Sequence, residues 1–299
     1  MKVLVTGGTT FVSRYTAEYF ARQGHEVFVL NRGTKRQSDG VRLIKADRHE
    51  HGDALRIHKF DAVIDVTSYT GRDVSDLLDG FGDFDKYVLI SSSAVYPETL
   101  RQPFCEDQPC GENIYWGAYG TNKIEAEQVL LRRVPDAYII RPPYLYGPMN
   151  NLYREAYVFD CAEKNLPVYI PENAEMQLHF YHVRDLCMFI EKLIDEAPAE
   201  RIFNVGNCDT VSIREWVTKC FNVLGKTPEL IKVSSDIPAR TYFPFRDYEY
   251  VLDVTRQNAI LKPSITLEDG LSESYLWYKD HSTEVLKKDY FSVISEKLK

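Results

Sequence analysis

Tyr119 and Lys123 stand four residues apart in Tyr119-Gly-Thr-Asn-Lys123. On a helix that spacing puts both side chains on one face, the phenol beside the ammonium. A phenol is a poor base near neutral pH. A neighbouring cation, helped by an oxidised nicotinamide, favours the phenolate and brings it into a working range. A serine at the end of a nearby strand could hold a substrate oxygen while the tyrosine moves its proton and the nicotinamide takes the hydride. Ser91, Ser92 and Ser93 end the apolar run that begins at Lys86 and are placed for that task. A lone Tyr-x-x-x-Lys is usually an ordinary helix face. Here its weight comes from what precedes it.

The first fourteen residues read as a strand, a glycine turn and a helix entry. Val3–Val5 is a short apolar run, and Phe11, Val12, Tyr15, Tyr19 and Phe20 recur at helical spacing until Gly24. In such a unit the bare backbone at Gly7 and Gly8 admits a pyrophosphate, and the N–H groups from Thr9 through Thr10, Phe11 and Val12 face its charge. The usual fingerprint places glycine at three-residue steps, yet Thr10 and Ser13 stand at two of them. Ser13 can pack near the sheet, and Thr10 adds a hydroxyl donor. A second strand, His25–Leu30, completes a β-α-β unit and ends at Asn31 and Arg32. An acid there would accept the adenosine ribose hydroxyls; Arg32, Lys35 and Arg36 lean toward a 2′-phosphate, so the cofactor is NAD or NADP with NADP slightly favoured. On charge alone, a solvated basic loop explains these cations equally well.

At 299 residues, with 44% hydrophobic and 13% aromatic residues, the chain can bury a large core. A net charge of −8 argues against a general nucleic-acid binder. No run reaches membrane-spanning length, and a strand beginning at residue 2 leaves no space for a signal peptide, so a cytoplasmic protein is expected. The six cysteines have no C-x-x-C spacing and read as free thiols, and no metal site is expected.

Val41–Ala46, Asp61–Val66, Lys86–Ser91 and Ala137–Arg141 read as buried parallel strands, and Ala118–Arg133 as a helix between the last two. The pattern predicts an α/β fold, a doubly wound parallel sheet with ligands at the carboxyl ends of its strands. Asp47 with Arg48, Thr67 with Ser68, and Ser91–Ser93 then fall along one crevice. After Pro142-Pro143 the character changes: Leu152–Lys164 and Ser212–Leu224 read as helices and Leu166–Ile170 as extended. The expected division is a cofactor domain over 1–148, rejoined by 183–206, and a smaller C-terminal substrate lobe from 149–182 and 207–299.

Taken together, these motifs resemble the extended short-chain dehydrogenase/reductase family, the NAD-dependent epimerase/dehydratase group that includes UDP-galactose 4-epimerase. The resemblance runs through Thr6-Gly7-Gly8, Asp47-Arg48, Ser91–Tyr96, Tyr119–Lys123, Arg141–Pro148, Phe180–Asp185 and Leu252-Asp253. It implies a Rossmann-type fold, with Tyr119 as acid/base, Lys123 as its partner and ribose ligand, and Ser92 as the substrate-oxygen donor. It also implies that Asp47 holds the adenine amino group, that Val66 and Thr67 line the pyrophosphate path with Ser91 and Arg48 nearby, and that Pro142 adjoins the nicotinamide. A homodimer packed through the Tyr119 helix and its neighbour is implied as well.

The departures narrow the function. Ser93 and Ala94 occupy the two positions that are acidic in 4,6-dehydratases, which disfavours elimination of water. Leu178 stands where many members place an arginine that grips a substrate pyrophosphate, and Tyr144 where they place a substrate-binding asparagine. Ser93, Tyr144, Arg240 and Arg246 are the candidate substrate ligands, the arginines for an anionic group. Asp185 reads as a brace. The Gly-Gly-Thr-x-Phe turn and the Asn31-Arg32-Gly33 strand end also resemble a divergent branch that includes proteins linked to RNA in chloroplasts. The reading is an NAD(P)-dependent epimerase or reductase acting at a hydroxyl or keto carbon of a sugar or nucleotide sugar; the alternative is a cofactor-binding or RNA-associated protein without turnover.

Overall fold

Apolar side chains alternate strictly along the first strands, and in the computed structural model, which describes residues 1–298, the two sets reach opposite sides of one sheet. The first half runs β1 (Lys2–Thr6), α1 (Phe11–Arg22), β2 (Glu26–Asn31), β3 (Val41–Lys45), β4 (Lys59–Asp65), α2 (Gly71–Gly80), β5 (Asp83–Ile90), α3 (Ala118–Arg133) and β6 (Tyr138–Arg141). It continues through β7 (Tyr144–Tyr146), α4 (Glu155–Glu163), β8 (Val168–Pro171), β9 (Gln177–Leu178), β10 (Phe180–His182), α5 (Val183–Glu196) and β11 (Ile202–Asn204). The last elements are β12 (Val211–Ser212), α6 (Ile213–Val223), β13 (Leu230–Val233), α7 (Thr255–Ile260), α8 (Leu267–His281) and α9 (Tyr290–Lys297).

Seven parallel strands form the sheet in the order β11-β6-β5-β4-β1-β2-β3. Val3, Val5, Ala62, Ile64, Val88 and Ile140 pack beneath α1 and α5, while Leu4, Val63, Leu89 and Ile139 pack beneath α2 and α3. Burial on both faces explains the unbroken apolar runs, because a parallel sheet covered by helices has no wet side. The strand order reverses between β1 and β4, which places a crevice at their carboxyl ends.

A third core packs α4, α6, α8 and the β8–β13 pair together, with Trp216, Tyr157 and Phe243 nearly inaccessible. Helix α4 begins at Glu155, three residues later than the spacing predicts. Asn150 explains the delay: its amide donates to Glu155 Oε1 at 2.8 Å and its oxygen accepts the Leu152 N–H at 3.0 Å, holding 150–154 as a loop. Among the described residues no helix is long and apolar enough to cross a membrane.

Candidate functional site

The crevice is drawn together at its floor by Thr6. Its hydroxyl accepts the N–H groups of Val66 and Thr67 at 2.9 and 3.1 Å and donates to Asp65 at 2.8 Å, tying the end of β1 to that of β4. Asp65 is inaccessible and also accepts from Tyr87 OH at 2.7 Å. Gly7 and Gly8 follow at φ +90° and +84°. A Cβ on Gly7 would lie 2.9 Å from Ser13 Oγ and from Thr67 Cγ2, and one on Gly8 would overlap Val29. The serine standing for a glycine is therefore part of the packing: Ser13 is buried and donates to the Thr10 carbonyl at 2.9 Å.

Helix α1 opens without a side-chain cap from Thr10, and Phe11 enters it at φ +33°. The first-turn N–H groups thus face the turn with no capping oxygen, an arrangement suited to the diphosphate of a dinucleotide. Thr9, Thr10 and Phe11 also line one end of a cavity of about 1070 Å³ that Lys35, Arg36 and Leu286 help to enclose. Asn31 braces the loop: its amide donates to the Gly7 carbonyl at 2.7 Å and to Gln37 at 2.9 Å, and its oxygen accepts from Gly33 N–H at 2.8 Å. These bonds leave Asn31 a spacer for the turn and Arg32 the exposed cation, without an ion-pair partner among the described residues. Asp47 Oδ1 accepts the His49 N–H at 3.0 Å, and Arg48 reaches across to the hydroxyls of Thr67 and Ser68, the latter at 2.8 Å.

On the β5 side of the crevice, α3 is preceded by Gly117 at φ +51°, and Tyr119 lies in its first turn. Gly120 allows this helix to press on the Ser92–Tyr96 loop, since a Cβ there would overlap the Ala94 carbonyl. Burial of the Tyr119 hydroxyl raises its pKa, with the Ser92 hydroxyl beside it acting in the opposite sense. Lys123 is almost inaccessible and donates to the carbonyls of Ser68 at 2.7 Å and Ile90 at 2.8 Å. The expected phenol–ammonium contact is thus replaced. A buried ammonium must satisfy its N–H groups, and the Ser68 carbonyl in the loop after β4 and the Ile90 carbonyl at the end of β5 do so. Tyr69, rather than Tyr119, presents its ring to Nζ at 4.8 Å. Burial lowers the Lys123 pKa to about 8, although Asp65 and Glu127 oppose the shift. One N–H remains for a ribose hydroxyl.

The serine run divides. Ser91 does not reach the crevice through its side chain: its hydroxyl donates to Glu127, which Arg141 grips at 3.0 and 2.6 Å. Arg141 also donates to Tyr96 OH at 2.8 Å, and Tyr96 to Asn204 at 2.8 Å, a buried network tying α3, β6 and β11 together. Ser93 is buried against Tyr250, and its N–H donates to the Pro142 carbonyl at 3.0 Å. Only Ser92 shares the mouth with Tyr119.

Two of the expected substrate ligands change character as well. Tyr144 is 6% exposed, its ring 4.6 Å from that of Phe245 and 5.2 Å from that of Tyr250, so it is a wall and not a free hydroxyl; Ser93 lies in the same packed layer. Arg246 rests 5.1 Å from the Trp116 ring, itself 6.4 Å from Tyr119, and Arg240 donates to the Pro244 carbonyl. Arg154, which the sequence spacing does not single out, lies 5.0 Å over the Tyr144 ring and bears electrostatically on Tyr119. Leu178 is buried. Asp185 braces the start of α5 by accepting from Ser264 and Ile265 at 2.8–3.1 Å.

Comparison with known proteins follows the same geometry. The profile of the NAD dependent epimerase/dehydratase family matches residues 3–82 and 74–206. The chloroplast stem-loop binding protein of 41 kDa b from Arabidopsis thaliana is 26% identical, over 92% of this chain and 78% of that protein. Among solved structures, dTDP-glucose 4,6-dehydratase from Bacillus anthracis, in complex with NAD, superposes with a TM-score of 0.75 at 17% identity, covering 95% of this chain and 98% of that one. UDP-glucuronic acid 4-epimerase from Bacillus cereus, in complex with UDP-glucuronic acid and NAD, gives 0.73 at 17% identity over 94% and 99%.

Proposed function

The chain belongs to the NAD dependent epimerase/dehydratase family, and on that footing we propose an NAD(P)-dependent epimerase or reductase that moves a hydride at a hydroxyl or keto carbon of a sugar or nucleotide sugar. The observation that carries the reading is Ser92 beside the Tyr119 hydroxyl, with Lys123 one turn further along α3 and held by the Ser68 and Ile90 carbonyls. Gly7–Val12 and the uncapped start of α1 would hold the dinucleotide's diphosphate, Asp47 and Arg48 its adenosine end, and Lys123 a ribose. When bound, the nicotinamide supplies the hydride acceptor or donor.

The protein's own part is proton transfer and positioning. Ser92 Oγ donates to the substrate oxygen and holds it against Tyr119, whose phenol exchanges the proton on that oxygen. The raised pKa keeps the phenol protonated near neutral pH, so the proton is present for a forming alkoxide, a far stronger base than phenolate. For the reverse step it must be drawn toward phenolate, and Arg154, whose charge bears on it, favours that form. Trp116, Tyr144 and Tyr250 form an aromatic wall beside it. Arg240 and Arg246 stand on the substrate side.

The relative named as a stem-loop binding protein favours a second reading, a fold kept for binding. Purified protein would be assayed for bound nicotinamide dinucleotide and for change in its absorbance with a panel of sugars and nucleotide sugars. Turnover that Tyr119→Phe and Ser92→Ala each cut by about 100-fold or more supports the hydride-transfer reading. Turnover unchanged in Tyr119→Phe rejects it.

A further inference from the structure

Tyr69, in the loop between β4 and α2, is a large aromatic side chain left 50% exposed on a backbone with little freedom to move. The Ser68 N–H donates to Asp65 at 3.1 Å, and the N–H groups of Tyr69 and Thr70 both donate to Asp73 Oδ2 at 2.8 Å. The Ser68 carbonyl accepts from Lys123 at 2.7 Å and its hydroxyl from Arg48 at 2.8 Å, while Thr70 caps α2 by accepting the Asp73 N–H at 3.1 Å. Gly71 then lets α2 press on α3: a Cβ there would lie 3.0 Å from Val129 Cγ2 and 3.4 Å from the Glu125 carbonyl oxygen. These contacts fix where the Tyr69 side chain leaves the backbone, yet half of it stays open to solvent.

Its ring stands at the reacting end of the crevice, 6.3 Å from that of Tyr119, with Lys123 Nζ over one face at 4.8 Å from the centroid. Trp116, from the loop ahead of α3, brings a second ring to 6.4 Å from Tyr119 and likewise carries a cation on one face, Arg246 at 5.1 Å. Trp116 is built into the wall with Tyr144 and Tyr250, at 6.4 and 6.0 Å. Tyr69 is not: among the described residues its one aromatic neighbour is Tyr119. A scattered exposed aromatic residue is ordinary. One mounted on a pinned loop, with its ring beside the reactive phenol, is placed to meet a ligand.

We infer that Tyr69 is a specificity-determining residue, which packs the open part of its ring against the C–H face of the sugar whose reacting carbon Tyr119 serves. This rests on the reading of Tyr119 as the acid/base. A pyranose carries its hydroxyls around the rim and bare C–H bonds on its faces. The negative face of an aromatic ring attracts those hydrogens, and the contact removes apolar surface from water. Ser93 and Tyr144, which the sequence offers as substrate ligands, are buried in the wall, so holding the sugar falls to a ring instead.

Calorimetric titration of the NAD⁺-saturated protein with UDP-glucose, methyl β-glucoside and UDP, which has no sugar, reads the contact without turnover. Tyr69→Leu is expected to weaken both sugars roughly tenfold, the loss of about 55 Å² of apolar contact, and to leave UDP and NAD⁺ within about twofold. Tyr69→Phe keeps the ring and should stay close to wild type throughout. Because UDP is read on the same preparation, a general loss of fold would weaken it too. Equal losses for UDP and the sugars, a loss confined to NAD⁺, a loss in Tyr69→Phe as large as in Tyr69→Leu, or no binding of either sugar by wild type each overturns the inference. Sugar binding that Tyr69→Leu weakens in a protein that transfers no hydride rejects the catalytic reading alone. Turnover lost in Tyr119→Phe, with sugar affinity indifferent to Tyr69→Leu, rejects the role of Tyr69 alone.

Discussion

Gly120 of α3 meets the carbonyl oxygen of Ala94 so closely that any side chain at that position overlaps it. The contact sets the distance between the helix carrying Tyr119 and the loop carrying Ser92, because neither backbone can rotate away as a side chain could. Gly120→Ala is expected to destabilise the protein by about 1–3 kcal/mol through overpacking, outweighing a helix-propensity gain of about 1 kcal/mol. Turnover should fall with it as Tyr119 and Ser92 separate. Denaturant unfolding and turnover measured on the same preparation check this; a variant as stable and active as wild type shows that the helix sits back without consequence.

Lys123 gives a pH dependence with a definite sign. Folded, its ammonium titrates near 8, chiefly because burial disfavours the charge, against an ordinary 10.5. Between those values the unfolded chain holds more protons than the folded one, so this group's contribution to stability rises with pH; below about 8 it is a constant cost. The difference in unfolding free energy between wild type and Lys123→Met should therefore move in favour of wild type as pH climbs from about 8 toward 10.5. Activity should run the other way and decline above about 8 as the charge below the phenol is lost. Parallel unfolding curves for the two proteins across that window would show that Lys123 is not depressed.

The contrast between the two halves of the chain explains what could be read from residues alone. Buried parallel strands announce themselves as apolar runs, and α3 occupies Ala118–Arg133 as its spacing predicts. Three adjacent serines cannot be sorted that way. Successive side chains leave a strand on opposite faces, and the partners that decide among them, Glu127 for Ser91 and Tyr250 for Ser93, are distant in sequence. Lys123 illustrates the same limit: i,i+4 spacing puts it on the face of Tyr119, but the length of its stem lets two strand-end carbonyls claim it. Arg154 carries no spacing signature, because only the packing ahead of α4 sets it over the Tyr144 and Phe245 rings.

Glu127 and Arg141 form a buried ion pair at 2.6 Å that also receives the Ser91 hydroxyl and reaches Tyr96. Breaking one side strands the other charge, so Glu127→Leu is expected to cost about 3–5 kcal/mol. Glu127→Leu combined with Arg141→Met should recover a substantial part of that loss, since both charges are then gone. Denaturation midpoints of the single and double variants test the coupling; additive losses would mean that the pair does not act as a unit.

Arg32 is expected to set the preference between NADP and NAD. Asn31 is occupied by Gly7, Gly33 and Gln37, Arg36 pairs with Asp39, and Lys35 leans on Thr10, which leaves Arg32 as the exposed cation at the end of β2 without such a partner among the described residues. A 2′-phosphate on the adenosine ribose gains a charge-assisted bond there, and a free hydroxyl gains little. Arg32→Ala is therefore expected to weaken NADP⁺ roughly tenfold and to leave NAD⁺ within about twofold, read by fluorescence or calorimetric titration. An equal loss for both cofactors removes the 2′-phosphate argument, because it means that Arg32 shapes the loop instead of reading the phosphate. Unchanged affinity for both would move discrimination to Arg48, which spans the adenosine side of the crevice from Asp47 to Ser68.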